Sequence, residues 1–157
     1  MALELLLGTA QRSGDVRVMS PRQIAGDTVS VVQEKTGAPV VIPLLPALKE
    51  AMTVTALTGT ETILVTSGGK PFTEKYLYNW FKQACIAAGL SHCCPQGLRK
   101  TAARRLAVAG CSTHQIRAIT GHTTLKEVER YTKAADQKRL AEQAIEKLKG
   151  TQTEQKT

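Results

Sequence analysis

At 157 residues the chain is long enough to bury a core of its own and reads as a single domain, residues 1–150 with a short tail. Its 21 Lys and Arg against 13 Asp and Glu give a net charge of +8, which points to a polyanionic partner, nucleic acid first, with a solvated basic surface as the plain alternative. Cys85, Cys93, Cys94 and Cys111 include no C-x-x-C pair and no histidine spacing that completes a zinc site. With no secretory signal and an apolar run, Leu5-Leu6-Leu7, far too short to span a bilayer, this predicts a cytoplasmic protein with reduced thiols, no metal and no membrane.

Met1 to Ala10 has helix formers but no N-terminal cap, so the chain is expected to open inside a helix, as a piece of something longer. Thr28 to Glu34 alternates, with Val29 and Val31 on one face, and Pro39 to Leu44 is a second apolar run. Lys35-Thr36-Gly37-Ala38 between them reads as a hairpin turn. A helix follows Pro46, then a short strand at Thr62 to Val65 that ends in Ser67-Gly68-Gly69. From Thr73 the chain turns helical, and Leu77, Trp80, Phe81, Ala84 and Ala88 recur at steps of three and four, which predicts a core face.

The next helix is expected over Gln96 to Ala109 and stops at Gly110. Ser112 with Gln115 forms a capping box for a short helix that closes at Gly121. Thr124 with Glu127 repeats the device for the helix that carries Tyr131. A further amphipathic helix, Asp136 to Leu148 with Leu140, Ala144 and Leu148 on its stripe, ends at Gly150. The polar residues 151–157 are expected to be disordered. The class is mainly α with one small antiparallel sheet, an α+β fold.

Arg99 is the most telling side chain. Helical geometry sets it within a stripe of Leu98, Ala102, Leu106 and Ala109, while Lys100 and Arg104 point to the solvated side. An arginine on a packing face needs an anion, either a core carboxylate or a bound phosphate. Arg12 follows a helix end, where it is a surface cap or a ligand. Lys35 at a hairpin tip is a solvated lysine or a mobile general acid. His122 is a helix-ending cap or part of a site, and Tyr131 is an ordinary half-buried tyrosine or a nucleophile. One hydroxyl with several dispersed cations suits attack on a phosphodiester, since fixed positive charge stabilises the extra negative charge of the transition state.

The order of these residues resembles the tyrosine recombinases, the phage integrase family, over about residues 5–148. Gln11-Arg12-Ser13-Gly14-Asp15 is similar to the family's first arginine box, and Gln33-Glu34-Lys35-Thr36-Gly37 to its lysine hairpin leading into Val41-Ile42-Pro43-Leu44. Gln96-Gly97-Leu98-Arg99 resembles the H-x-x-R box, and Gly121-His122 and Glu129-Arg130-Tyr131-Thr132 complete the pattern.

The resemblance implies the integrase catalytic-domain fold and a reaction that breaks and rejoins DNA without metal or nucleotide cofactor. Tyr131 would be the nucleophile and form a 3′-phosphotyrosyl intermediate. Arg12, Arg99 and His122 would hold the non-bridging oxygens, and Lys35 would protonate the departing 5′-oxygen. Lys100, Arg104, Arg105 and Arg130 would contact double-stranded DNA, and further protomers would join in a synaptic complex. Two departures stand out. Gln96 occupies the usual histidine position, where it can hydrogen-bond but not exchange a proton. The family's N-terminal core-binding domain is expected to be missing, which predicts weak, salt-dependent DNA affinity. The alternatives are a non-catalytic DNA-binding module, as a decayed recombinase or a helix-turn-helix built from Leu98–Ala109 and Ser112–Thr120, and a type IB topoisomerase.

Overall fold

The computed structural model describes residues 1–55 and 59–154, apart from the side chains of Ala134 and of residues 150–154. Helix α1 (Ala2–Thr9) buries Leu5 and Leu6 and ends at Ala10, which takes a left-handed conformation at φ 55°. That residue turns the chain sharply into the short helix α2 (Ser13–Arg17), with Arg12 at its N-cap. A non-glycine residue pays about 1 kcal/mol for such a conformation, and the buried surroundings of Ala10 hold it there.

A three-stranded antiparallel sheet follows in the order β1 (Ile24–Ala25), β2 (Thr28–Val32) and β3 (Pro39–Pro43). The β2–β3 register sets Val29 opposite Ile42 and Val31 opposite Val40, and all four face the core. The intervening Val32 and Val41 face outward, as the two-residue period requires. β2 stops at Val32, two residues short of the sequence expectation. There the backbone closes a turn in which Gln33 N–H donates to the Ala38 carbonyl and Gly37 N–H to the Gln33 carbonyl. Gly37 takes φ +65°, the conformation this turn requires.

Among the described residues four further helices and a long last one follow: α3 (Pro46–Val54), α4 (Glu74–Ala87), α5 (Pro95–Val108), α6 (Thr113–Thr120) and α7 (Leu125–Glu154). The Ser112–Gln115 capping box forms at the start of α6, and Gly121 ends it at φ +66°. Glu127 reaches back to the Thr124 N–H and hydroxyl at the start of α7. Two hydrophobic clusters result. The larger one joins α1, the sheet, α3 and α4, and the smaller packs Ala103 and Ala107 of α5 against Ile116 of α6 and Val128 of α7.

Four local expectations are corrected. The buried stripe of α4 is Leu77, Phe81 and Cys85, spaced by four, while Trp80, Ala84 and Ala88 are exposed and the Trp80 ring lies against Phe72 instead. Thr62 to Val65 is no strand: Val65 makes one isolated bridge to Pro71, and a proline has no N–H to extend the ladder. On α5 the buried positions are Pro95, Arg99, Ala102, Ala103 and Ala107, with Ala109 exposed. The two expected late helices are one, because nothing between Tyr131 and Asp136 breaks the backbone, and Gly150 does not stop it before Glu154. The end of the expected disordered tail, 155–157, lies outside the described residues. Among the described residues no helix is long and apolar enough to cross a membrane.

Candidate active site

The fold brings all six sequence-predicted catalytic candidates, Arg12, Lys35, Gln96, Arg99, His122 and Tyr131, to one open cleft of about 640 Å³. They come from five places: the α1–α2 joint, the β2–β3 turn, the first turns of α5, the loop after α6 and the second turn of α7. Lys100, Asp15 and Glu127 also border the cleft.

Arg99 is 8% exposed. Its Nη1 donates to the Ala10 carbonyl at 2.9 Å, so the left-handed turn after α1 presents the acceptor that aims the guanidinium. Nη2 is buried with no partner in the protein. Among the described residues Arg99 forms no ion pair, so the core carboxylate that would explain a buried arginine structurally is not there. Burial, reinforced by Arg12, lowers its pKa to about 10, and Asp15 partly opposes this. The group stays cationic at neutral pH, and the residue borders the cleft. That is the electrostatic preparation a phosphate oxygen would meet.

Arg12 donates from Nη1 to Gln33 Oε1 at 3.1 Å. Lys35 is exposed on the hairpin tip, and Gln96 is exposed on the first turn of α5, one turn before Arg99. His122 sits with Nδ1 2.6 Å from the Thr120 hydroxyl. Its pKa is pushed below the ordinary value by burial first, then by Arg99, with Glu127 acting the other way. Tyr131 is half-buried against the small cluster of Ala103, Ala107, Ile116 and Val128, which leaves its ring 6.1 Å from that of His122.

The four DNA-contact candidates divide. Lys100 borders the cleft, and with Arg104 and Arg130 it also lines an adjoining groove between α5 and α7, on which Tyr131 opens as well. Lys138 and Arg139 extend that groove along α7. Arg105 instead borders a mainly apolar groove with Leu7, Ile42 and Leu45, which Arg104 also lines.

Sequence reasoning missed the buried polar residues below the cleft. Asp15 is 4% exposed and accepts the Glu34 N–H on Oδ1 at 2.9 Å, fastening α2 to the hairpin. Gln11 and Gln33 are both fully buried and hydrogen-bonded to one another. The signal for Gln33 was its parity: it follows Val29 and Val31 of β2 at the same two-residue spacing, on the inward side, where a polar side chain needs buried partners.

The fold and cleft thus define a helical domain that gathers a tyrosine, two arginines, a lysine and a histidine around open space. The profile of the phage integrase family matches residues 1–138, and the chain belongs to that family. Among solved structures, lambda integrase residues 75–356, as a dimer bound to a COC′ core site, is 28% identical with a TM-score of 0.73. The match covers 83% of this chain and 50% of that one. The lambda integrase catalytic core is 28% identical at a TM-score of 0.66, covering 77% of each chain. The Tn1549 transposon integrase in complex with transposon right end DNA is 18% identical at a TM-score of 0.73, covering 89% of this chain and 58% of that one, and shares the fold. This chain therefore spans about half the length of the DNA-bound lambda integrase that it matches. A search of curated proteins finds no match.

Proposed function

We propose that this chain is the catalytic domain of a site-specific DNA recombinase that works through a 3′-phosphotyrosyl intermediate. The observation that carries this reading is a buried Arg99, without a carboxylate partner among the described residues, lining the same cleft as Tyr131. A buried charge without a counter-ion is costly, and a phosphate bound in the cleft would supply one. The DNA-bound state of the lambda and Tn1549 integrases supports double-stranded DNA as the partner. The dimer and the tetramer on a Holliday junction formed by lambda integrase support assembly with further protomers.

In this reading Tyr131 gives its hydroxyl proton to solvent as its oxygen attacks the scissile phosphorus, and the P–O5′ bond breaks. Arg12, Arg99 and His122 hold the non-bridging oxygens against the growing charge, and the Lys35 ammonium gives a proton to the departing 5′-oxygen. Gln96, exposed at the entrance, supplies a hydrogen bond where the related enzymes commonly have histidine. The phosphodiester energy stays in the tyrosyl ester, so reversal needs only the incoming 5′-hydroxyl. Lys100, Arg104 and Arg130 would carry the DNA backbone along the adjoining groove, whereas Arg105, across α5, is the weakest of the four assignments.

The test is covalent trapping on nicked duplexes, which lose a short 5′-hydroxyl fragment after cleavage. The proposal expects a protein–DNA adduct that survives denaturation and disappears in Tyr131→Phe. DNA binding with no adduct in the wild-type chain would favour the non-catalytic binding module.

A further inference from the structure

Beneath the cleft one buried side chain makes four hydrogen bonds that reach three separate parts of it. We infer that Gln33 is a positioning residue that ties Arg12, the Lys35 turn and the His122 loop into one rigid unit, an assignment that rests on the recombinase reading above. Gln33 is 0% exposed. Its Oε1 accepts from Arg12 Nη1 at 3.1 Å and from the Thr36 hydroxyl at 2.8 Å. Its Nε2 donates to Gln11 Oε1 at 2.6 Å and to the Thr120 carbonyl at 2.7 Å.

A carboxamide offers two donors and two good acceptor sites, and here all four are used. The arrangement also fixes which way the amide points. Gln11 Nε2 is committed to the Thr9 and Ile119 carbonyls, both at 2.9 Å, so Gln11 must present its oxygen to Gln33. Turning Gln33 over would set oxygen against oxygen at both Gln11 and Thr120. The network therefore has one self-consistent state, which makes it stiff.

Its reach explains its importance. Arg12 and the hairpin lie in the first quarter of the chain, whereas Thr120 and His122 belong to α6 and the loop after it. Gly121 permits the approach: a Cβ there would stand 2.5 Å from Gln33 Nε2. The Thr120 hydroxyl in turn meets His122 Nδ1, so a shift of Gln33 moves both the histidine and Arg12. Displacement of reacting groups by about 1 Å costs about 100-fold in rate.

The experiment compares the wild-type chain with Gln33→Met, Gln33→Glu and Tyr131→Phe in single-turnover trapping on nicked duplexes, with side-chain NMR of His122 and Arg12 alongside. Gln33→Met is expected to slow Tyr131-dependent adduct formation about 100-fold at saturating DNA, while half-saturating DNA concentration stays near the wild-type value. Gln33→Glu keeps the acceptors for Arg12 and Thr36, now as a carboxylate beside the guanidinium, but sets an oxygen against both the Thr120 carbonyl and Gln11 Oε1. It should shift the His122 signals while Arg12 keeps its contact, and it serves as the second reading if Gln33→Met does not fold.

A wild-type cleavage rate in a folded Gln33→Met, or unchanged His122 signals in Gln33→Glu, would overturn the tether. Loss of DNA binding and cleavage in parallel with a lowered Tm would reduce Gln33 to a structural residue and overturn the positioning role. If the wild-type chain gives no Tyr131-dependent adduct, the recombinase reading fails, and the His122 and Arg12 signals still decide whether Gln33 holds them together.

Discussion

The Thr120 hydroxyl holds His122 by its Nδ1, at 2.6 Å, and stands 2.8 Å from the Ile116 carbonyl. Its one hydrogen can serve either neighbour, and both contacts are satisfied together when Nδ1 carries a hydrogen. In that tautomer, donating to a phosphate oxygen from Nε2 requires a protonated imidazole.

That requirement gives a pH dependence with a definite sign. In the free protein burial and Arg99 hold the His122 pKa below its ordinary value, so the ring is neutral at pH 7. A bound phosphodiester raises it. DNA engagement should therefore take up a proton, and affinity should fall as pH rises through the raised pKa of the complex. An NMR titration of His122 with and without DNA checks both values, and a pKa that does not rise on DNA would refute the donor role. For folding the sign is opposite: the unfolded histidine binds protons more readily, so His122 contributes stability above its unfolded pKa and loses it as pH falls toward the folded value.

Arg99 should separate function from stability. Arg99→Met loses the bond to the Ala10 carbonyl, worth about 1 kcal/mol, and also removes a buried charge that lacks a full set of partners. The two effects offset, so thermal melting should move by only a few degrees, about what 1 kcal/mol gives in a domain of this size. Adduct formation should fall by about 100-fold or more. Arg99→Lys keeps the charge without the fork and should recover little of that loss. Collapse of the fold in Arg99→Met would show that the guanidinium is structural.

Gln96→His should speed cleavage, because the position is exposed at the cleft entrance and histidine adds proton exchange near neutral pH. DNA binding should not change. Equal single-turnover rates for the two proteins would mean that glutamine already meets the need there.

Gly121→Ala should damage both fold and site. The residue holds φ +66°, and an added Cβ would stand 2.5 Å from Gln33 Nε2, in a network without slack. A loss of about 2 kcal/mol is expected from denaturant melts. A substitution that leaves stability within about 0.5 kcal/mol would mean that Gln33 can yield.

The sequence made the main architecture readable where local chemistry decides it. The inward valines of β2, the Lys35 turn and the Ser112–Gln115 box are set by neighbours in the chain, and each formed as expected. Arg99 was legible because a charge on an apolar helical stripe is anomalous. Less was legible where tertiary contacts choose. The face of α4 depends on what Phe81 and Cys85 meet, and Trp80 kept helical spacing yet remained outside. The glutamine network was hidden because Gln11, Gln33 and Thr120 lie far apart in the chain and acquire meaning only when folding brings their amides and carbonyls together.

The most direct test of the central claim is the chemical nature of the trapped bond. After cleavage of a nicked duplex, the adduct is digested with protease and nuclease, and the nucleotide-bearing peptide is identified by mass spectrometry. A 3′-nucleotide esterified to the Tyr131 oxygen is the expected product. Attachment through a 5′-phosphate, attachment to another side chain, or DNA binding with no covalent product would contradict it.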